Sequence, residues 1–179
     1  VCGEMARDGG AKTLLDVGTG SGCIAITMAL DLPLWQVSAI DISPAALTIA
    51  KHNAERLCAK VQFSEQNALD LPRHDAVWDV IVSNPPYIMQ REAQQMEANV
   101  LENEPHLALF VPNEQPLLFY EHIARYAMHA LKPGGHLFFE INPLCQQNMQ
   151  KMLEEMGWQA IETRNDCFGK QRMMKATRA

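Results

Sequence analysis

Four residues that could position a nucleophile, Asn84-Pro85-Pro86-Tyr87, directly follow the apolar run Val80-Ile81-Val82. Proline fixes φ and has no N–H to donate, so the pair ends a sheet ladder and stiffens the turn. The Asn84 side-chain oxygen and the Pro85 carbonyl can accept both N–H bonds of a planar NH₂ group, while Tyr87 offers it a flat apolar face. Positioning of this kind contributes roughly 7–11 kcal/mol in favourable cases, without a charged catalyst.

A glycine-rich loop, Gly18-Thr19-Gly20-Ser21-Gly22, lies between a hydrophobic run and a helical pattern. Such a loop lets the backbone approach a ligand closely at the carboxyl edge of an open α/β sheet. The dinucleotide fingerprint requires its third glycine at position 23, which is cysteine here, and the Gly-Lys-Ser/Thr of a Walker loop is absent. The loop therefore indicates a ligand of another class.

Two carboxylates indicate which class of ligand the glycine loop would bind. Asp16 stands just before the loop, where it would repel a pyrophosphate but suits an ammonium group. Asp41 ends the next predicted strand, about 20 residues after the last glycine, which is the position of a carboxylate that accepts both ribose hydroxyls. A nucleoside with no phosphates, an amino-acid tail and a positive sulfonium fits these features, so the sequence predicts S-adenosylmethionine. Because the fourth strand of such a sheet ends beside the first, Asn84 is expected to face the methyl group.

The elements that must position these residues alternate between short β-rich runs and helical patterns, which is typical of a mostly parallel sheet with helices on both faces. Strands are predicted at 13–17, 36–41, 61–65, 79–83 and 136–141, with two further runs near 158–164 and 172–177.

Three helices have recognisable signals. Ser43 can cap a helix whose first position is Pro44. A second helix carries an apolar stripe and ends at 132–135, and a third is closed by Gly157. The stripes are Phe119, Ile123, Tyr126, Ala127 and Ala130 in the second helix and Met149, Met152, Leu153 and Met156 in the third. Residues 88–113 have no clear period and are predicted to be a long loop that contacts substrate.

Composition is that of one soluble globular domain: 179 residues, 47% hydrophobic and 20% charged, with a formal net charge of −6. The negative charge and the lack of a basic stripe make nucleic acid an unlikely substrate. No apolar run approaches the ~20 residues of a membrane span. The five cysteines form no C-x-x-C pair, which predicts reduced thiols in a cytoplasmic protein and no metal site. Because the chain begins with Val1 and soon enters a strand, we expect it to be a piece of a longer protein.

The stretch from Leu14 to Arg172 resembles the release-factor glutamine N5-methyltransferases, the HemK/PrmC family of class I methyltransferases. The resemblance rests on LLDVGTGSGCIAI (14–26), AIDISPAALTIAKHNA (39–54), DVIVSNPPYI (79–88), EPHLAL (104–109), LKPGGHLFFEI (131–141) and Asp166-x-x-Gly169-x-x-Arg172.

The resemblance implies a Rossmann-like, doubly wound, seven-stranded sheet with an antiparallel C-terminal strand. Residues 1–179 would be the catalytic domain, without the family's N-terminal helical substrate-binding domain. The family methylates the glutamine of the Gly-Gly-Gln loop in peptide-chain release factors and leaves S-adenosylhomocysteine.

The predicted site residues fall into three groups. The catalytic set is Asn84, Pro85 and Tyr87, and the substrate set is Asn84, Pro85, Pro86 and Tyr87. The cofactor set is Asp16, Gly18, Thr19, Gly20, Ser21, Gly22, Asp41, Ile42, Asn67, Ala68 and Asn84.

This chain departs from the family's pattern at several positions. Asn67-Ala68 stand where the family often has an acidic residue near the adenine, and Asn142 stands where glycine is more usual. Glu104 and Glu140 are structural or substrate-facing residues, and the sequence leaves that choice open.

Other functions also fit the Asn-Pro-Pro-Tyr motif, because it suits any planar NH₂ group. The acceptor could be a glutamine of a ribosomal protein, adenine N6 or guanine N2. A third reading is a cofactor-binding module that does not catalyse.

Overall fold

The computed structural model describes residues 10–89 and 110–179. Along the chain the elements are β1 (Thr13–Val17), α1 (Cys23–Asp31), β2 (Gln36–Asp41), α2 (Pro44–Arg56), β3 (Val61–Glu65), β4 (Trp78–Ser83), β5 (Ile88–Met89), β6 (Phe110–Val111), α3 (Leu118–Ala130), β7 (Leu131–Glu140), a short 3-10 helix (Pro143–Cys145), α4 (Gln146–Glu155), β8 (Gln159–Asn165) and β9 (Gln171–Thr177).

Seven strands form one sheet in the order β3-β2-β1-β4-β7-β9-β8. The first five strands in this order, β3, β2, β1, β4 and β7, run parallel to one another. Strand β9 is antiparallel to both β7 and β8. This arrangement confirms the predicted doubly wound sheet with an antiparallel C-terminal strand. The chain reverses its direction of winding between β1 and β4, and open α/β sheets bind ligands at the carboxyl ends of the strands at such a point.

Both faces of the sheet are covered by helices. Consecutive strand residues point to opposite faces, so Leu14 packs with α1 while its neighbour Leu15 packs with α3 and α4. The smaller core includes Leu14, Ala25, Met28, Val80 and Phe138, and the larger core includes Leu15, Ile81, Tyr120, Ile123, Met149 and Leu153. Burial on both faces explains why β1 and β4 have nearly continuous apolar sequences.

Most predicted elements coincide with the observed ones. The strands predicted at 13–17, 36–41 and 61–65 have these bounds in the structure, and β4, β8 and β9 differ by one residue at one or both ends. The Ser43 side chain accepts a hydrogen bond from Ala46 N (3.2 Å), and Pro44 is the first helical residue. The two predicted apolar stripes lie on α3 and α4 and pack into the larger core.

The start of β7 was predicted wrongly. The segment 132–135 was expected to end the second helix and form a turn, but β7 begins at Leu131, directly after α3. The pairing of β7 with β4 shifts between Trp78 and Val80, so the extra residues form an irregularity within the ladder.

A second, two-stranded sheet joins β5 to β6 in parallel, and it was not predicted. It lies within the span 88–113 that was expected to be an irregular loop. The greater part of that span, residues 90–109, and with it Glu104, lies outside the described residues.

Candidate active site

The strand register brings the three predicted centres together at one edge of the sheet. Val17 pairs with Ile40 on one side and with Ser83 on the other. The next residues, Asp41 and Asn84, therefore flank the first glycine of the loop. Neighbouring strands lie about 4.8 Å apart, so the backbones of these two residues are separated by roughly 10 Å. One small ligand can touch both.

Main-chain hydrogen bonds fix the glycine loop against the end of β2. The N–H groups of Gly18 and Thr19 both donate to the Ile40 carbonyl, at 2.9 and 3.0 Å. Gly18, Gly20 and Gly22 have φ values of 74°, 56° and 86°, a region that favours glycine. The loop is therefore a preformed turn that exposes backbone at the sheet edge.

Asp41 connects this loop to the next helix. One of its carboxylate oxygens accepts from Gly20 N (2.8 Å) and the other from Ser43 N (2.9 Å). A carboxylate oxygen has two lone pairs, so each oxygen can still accept one hydroxyl. The half-buried carboxylate is thus fixed in place and suited to a pair of neighbouring hydroxyl groups.

Asp16 is buried beneath the loop, with 1% of its surface exposed. Its Oδ2 accepts from the Thr19 hydroxyl (2.7 Å) and from Ala25 N (3.2 Å), whereas its Oδ1 has no partner among the described residues. Burial raises the pKa of Asp16 from 3.8 to about 6; the two hydrogen bonds lower it, and the nearby Asp41 carboxylate raises it. An unsatisfied buried oxygen is an acceptor for an N–H donor or a cation.

The raised pKa of Asp16 makes the stability of the fold depend on pH. Between about pH 4 and pH 6 the folded protein binds a proton that the unfolded chain has released, so this residue's contribution to stability falls as pH rises. Asp16→Asn removes that titration. The difference between the free energies of unfolding of variant and parent should therefore shift by about 2–2.5 kcal/mol in favour of the variant between pH 4 and pH 7. Urea unfolding at several pH values measures this, and a constant difference would contradict it.

The turn after β4 is held from two sides. The Ser83 hydroxyl donates to the Val17 carbonyl (2.6 Å), which ties the end of β4 to the end of β1. The Asn142 amide donates to the Tyr87 carbonyl (3.2 Å) and accepts from Leu144 N (3.0 Å). Within the turn, Asn84 is exposed and Pro85 is buried. Hydrogen bonds therefore hold the backbone of the turn in place, and Asn84 is exposed at the carboxyl edge of the sheet.

The Tyr87 hydroxyl lies within a short chain of charged groups. It donates to Glu140 Oε1 (2.9 Å) and accepts from Arg172 Nη1 (3.4 Å), while Arg172 Nε lies 3.8 Å from Asp166 Oδ2. Burial, with the Glu140 carboxylate adding to its effect, raises the pKa of Tyr87 to about 12. The hydroxyl therefore remains a proton donor, and these bonds fix the orientation of the ring.

If Glu140 positions the Tyr87 ring, its effect should depend on its ability to accept a hydrogen bond. Glu140→Ala should lower kcat/KM by about 10- to 150-fold, because a hydrogen bond to a charged group contributes about 1.5–3 kcal/mol. Glu140→Gln keeps an acceptor oxygen and should stay within about threefold of the parent. Steady-state kinetics on these variants, with Glu55→Ala on the exposed face of α2 as a matched control, test this. Equal losses in Ala and Gln would contradict it.

Of the remaining predicted cofactor residues, Ile42 follows Asp41, Asn67 and Ala68 follow β3, and Thr19 and Ser21 lie in the glycine loop. Ile42 is 58% exposed beside Asp41, so it offers an apolar surface at the edge. The Asn67 side chain accepts from Leu69 N (2.9 Å) within its own turn, and Ala68 packs against the larger core. Thr19 is buried and Ser21 is exposed. The adenine contact of Asn67 and Ala68 stays a prediction.

The sequence did not predict which residues hold Tyr87 in place through hydrogen bonds. Glu140 was left open between two roles, and Asn142 and Arg172 were noted only as parts of a pattern. Glu140 and Asn142 follow the rule that residues at carboxyl strand ends meet at one edge, so the sequence carried a signal for them. Arg172 reaches this edge only because β9 runs antiparallel to β7.

A wide cleft of about 1140 Å³ lies elsewhere, between residues 68–74, α3 and α4. It contains neither the glycine loop nor Asn84, so the site at the sheet edge is assigned from register and hydrogen bonds. In the part of the chain that the structure describes, no three His, Cys, Asp or Glu side chains are grouped to hold a metal ion. No helix of residues 10–89 and 110–179 has the length and apolarity needed to cross a membrane.

Comparison with known proteins identifies the family of the chain. The methyltransferase small domain family matches residues 4–109. Relatives named release factor glutamine methyltransferase include one from Bacteroides thetaiotaomicron, 48% identical over 94% of this chain and 61% of the relative. Another, from Flavobacterium psychrophilum, is 43% identical over 90% of this chain and 57% of its own length. The chain thus spans about 60% of the length of these relatives.

Solved structures share the fold at low sequence identity. TrmN from Thermus thermophilus superposes with a TM-score of 0.70 at 22% identity, over 99% of this chain and 48% of that one. Magnesium protoporphyrin IX methyltransferase from Synechocystis, solved with bound S-adenosylmethionine, has a TM-score of 0.65 at 16% identity, over 99% and 76%. With its fold, its glycine loop and a family match over residues 4–109, the chain belongs to the methyltransferase small domain family.

Proposed function

We propose that residues 1–179 form a catalytic domain that transfers a methyl group from S-adenosylmethionine to the side-chain amide nitrogen of a release-factor glutamine, that of the Gly-Gly-Gln loop. The observation that carries the proposal is the register that sets Asn84 and Asp41 on either side of the glycine loop. The Asn-Pro-Pro-Tyr turn and the glycine loop with Asp41, which suits a nucleoside, could then act together in one reaction.

The described residues fit S-adenosylmethionine. Asp41 keeps two free lone pairs for ribose hydroxyls, and Ile42 offers an apolar surface beside it. The unpartnered oxygen of Asp16 supplies negative charge below the loop, on the side where the ammonium of the amino-acid tail would lie. When bound, the cofactor would supply a methyl group on a positively charged sulfur, which needs no metal and leaves S-adenosylhomocysteine.

The protein's part in this reaction is to orient the acceptor nitrogen. An amide nitrogen attacks poorly because its lone pair is delocalised into the carbonyl. The Asn84 side-chain oxygen and the Pro85 carbonyl would accept its two N–H bonds, which turns the lone pair toward the methyl group. As the N–C bond forms and the S–C bond breaks, the nitrogen would release one of its two protons to water. Tyr87, braced by Glu140 and Arg172, would support the flat face of the amide. Such positioning can contribute roughly 7–11 kcal/mol.

A polypeptide acceptor is favoured over a nucleic acid by two observations. The relatives that match 90% or more of this chain at 41–48% identity are named release factor glutamine methyltransferases. The net charge of −6 also opposes binding to a phosphate backbone. Because release factors act in translation, we also propose that the protein works in the cytoplasm.

Mass spectrometry after incubation with S-adenosylmethionine tests the proposal. A peptide-chain release factor, a mixture of ribosomal proteins, duplex DNA and structured RNA would be supplied in parallel to the full-length protein. We expect the release factor to gain one methyl group, located on the glutamine of its Gly-Gly-Gln loop. A methyl group found only on a ribosomal protein or on a base would move the function to that substrate, and no transfer would refute catalysis.

A further inference from the structure

The two most exposed large apolar side chains among the described residues are Phe168, with 85% of its surface exposed, and Leu144, with 73%. Single exposed apolar residues are common and carry no meaning alone. Here, however, both lie at the carboxyl edge of the sheet, Leu144 in the short 3-10 helix and Phe168 in a turn. Leu144 follows the end of β7, and Phe168 lies in the turn that joins β8 to β9.

Both segments are connected to the same residue of the site, Tyr87. Leu144 N donates to Asn142 Oδ1, and the Asn142 amide donates to the Tyr87 carbonyl. On the other turn, Arg172 donates to the Tyr87 hydroxyl and lies beside Asp166, which begins the turn that carries Phe168. Hydrogen bonds and an ion pair thus connect the segments that carry the two exposed side chains to the predicted acceptor pocket.

The turn that carries Phe168 is also rigid. Asp166 Oδ1 accepts from both Phe168 N and Lys170 N, at 2.9 Å each. Two main-chain bonds close the turn further, from Asp166 N to the Lys170 carbonyl and from Gly169 N to the Asp166 carbonyl. An aromatic side chain held in water on a preorganised turn loses little conformational entropy when it binds, and such residues dominate protein interfaces.

We propose that Leu144 and Phe168 dock the polypeptide segment that flanks the methyl-accepting side chain. The sheet order β4-β7-β9-β8 places Asn84, Leu144 and Phe168 in that sequence along the edge. With strands about 4.8 Å apart, Phe168 lies roughly 10–15 Å from the turn after β4, a distance that an extended chain covers with three to five residues. A polypeptide leaving the pocket along this edge would meet Leu144 first and Phe168 next.

This inference rests on the proposed function only for the identity of the polypeptide. The two exposed side chains are apolar, and the net charge of −6 on the chain opposes binding to a phosphate backbone, so a polypeptide is the ligand that we expect. The experiment therefore measures docking separately from methyl transfer.

The first test is kinetic. In the full-length protein, Phe168→Ser and Leu144→Ser should each raise KM for an intact release factor by roughly 10- to 30-fold, the loss expected for an interface hot spot, and leave kcat within about twofold. Phe168→Tyr keeps the ring and should restore KM. The control Leu34→Ser alters a residue that is 64% exposed just before β2, at the opposite edge, and should change nothing. An unchanged KM in both serine variants, with the parent active, would overturn the inference.

The second test needs no variant. Cys167 is exposed beside Phe168, and Cys58 is exposed just before β3 at the opposite edge. A saturating release factor should slow alkylation of Cys167 by at least about tenfold and leave Cys58 unaffected. If the parent shows this protection but transfers no methyl group, docking stands and the proposed reaction fails. If it methylates the release factor without protecting Cys167, or if only nucleic acid protects Cys167, the inference is overturned.

Discussion

Asn84→Ala should abolish methyl transfer while leaving the affinity for S-adenosylmethionine within about threefold. The side-chain oxygen of Asn84 is one of two acceptors that orient the amide, whereas the cofactor's ribose would be held by Asp41 on the far side of the glycine loop. Losing half of the orienting pair should lower kcat by roughly 10³-fold or more, a share of the 10⁵–10⁸ available to well-oriented reactions. Single-turnover kinetics and calorimetric titration of the cofactor would measure the two effects.

The control for this variant is Asn148→Ala. It makes the same chemical change at an exposed residue of α4 and should leave both quantities at the parent's values. If Asn84→Ala keeps more than a tenth of the parent's kcat, the turn does not orient the acceptor as we argue. A parallel collapse of cofactor affinity would assign Asn84 to cofactor binding instead.

Gly22→Ala should destabilise the fold through backbone strain and overpacking together. Gly22 has φ +86°, and an added Cβ would lie 2.9 Å from Ile26 Cδ1 and 3.1 Å from Ala50 Cβ. The left-handed backbone costs an alanine about 1–2 kcal/mol, and overpacking adds about 1–3 kcal/mol. We therefore expect a loss of about 3 kcal/mol in the free energy of unfolding, measured by urea denaturation, together with weakened cofactor binding.

Gly134→Ala separates the two causes. Gly134 has a similar φ of +75°, but an added Cβ would meet nothing within 4 Å. It should therefore cost only the backbone term of about 1–2 kcal/mol. Equal losses in the two variants would show that the contact of the loop with α2 does not constrain Gly22.

Local signals account for the parts of the fold that were predicted correctly. β1 to β3 are short β-rich runs whose bounds follow from the residues themselves, and Ser43-Pro44 signals the start of α2 through side-chain capping and a fixed φ. The loop and Asp41 could be related from sequence because parallel strands bring their carboxyl ends together.

The features that were not predicted depend on the pairing of strands that are far apart in the sequence. The β5–β6 pair joins residues some twenty positions apart and depends on two short segments with little pattern of their own. The early start of β7 depends on how the ladder with β4 absorbs extra residues. Arg172 could not be placed beside Tyr87 without knowing that β9 folds back against β7 and pairs Met173 with Glu140.

In the reaction that we propose, two fixed oxygens at the end of β4 orient a neutral amide toward a cofactor held by the glycine loop. A crystal structure with S-adenosylhomocysteine and a Gly-Gly-Gln peptide would show whether they do. We expect ribose hydroxyls on Asp41 and the glutamine side-chain nitrogen within hydrogen-bonding distance of both Asn84 Oδ1 and the Pro85 carbonyl. A glutamine bound away from Asn84, or a cofactor bound away from the glycine loop, would contradict it.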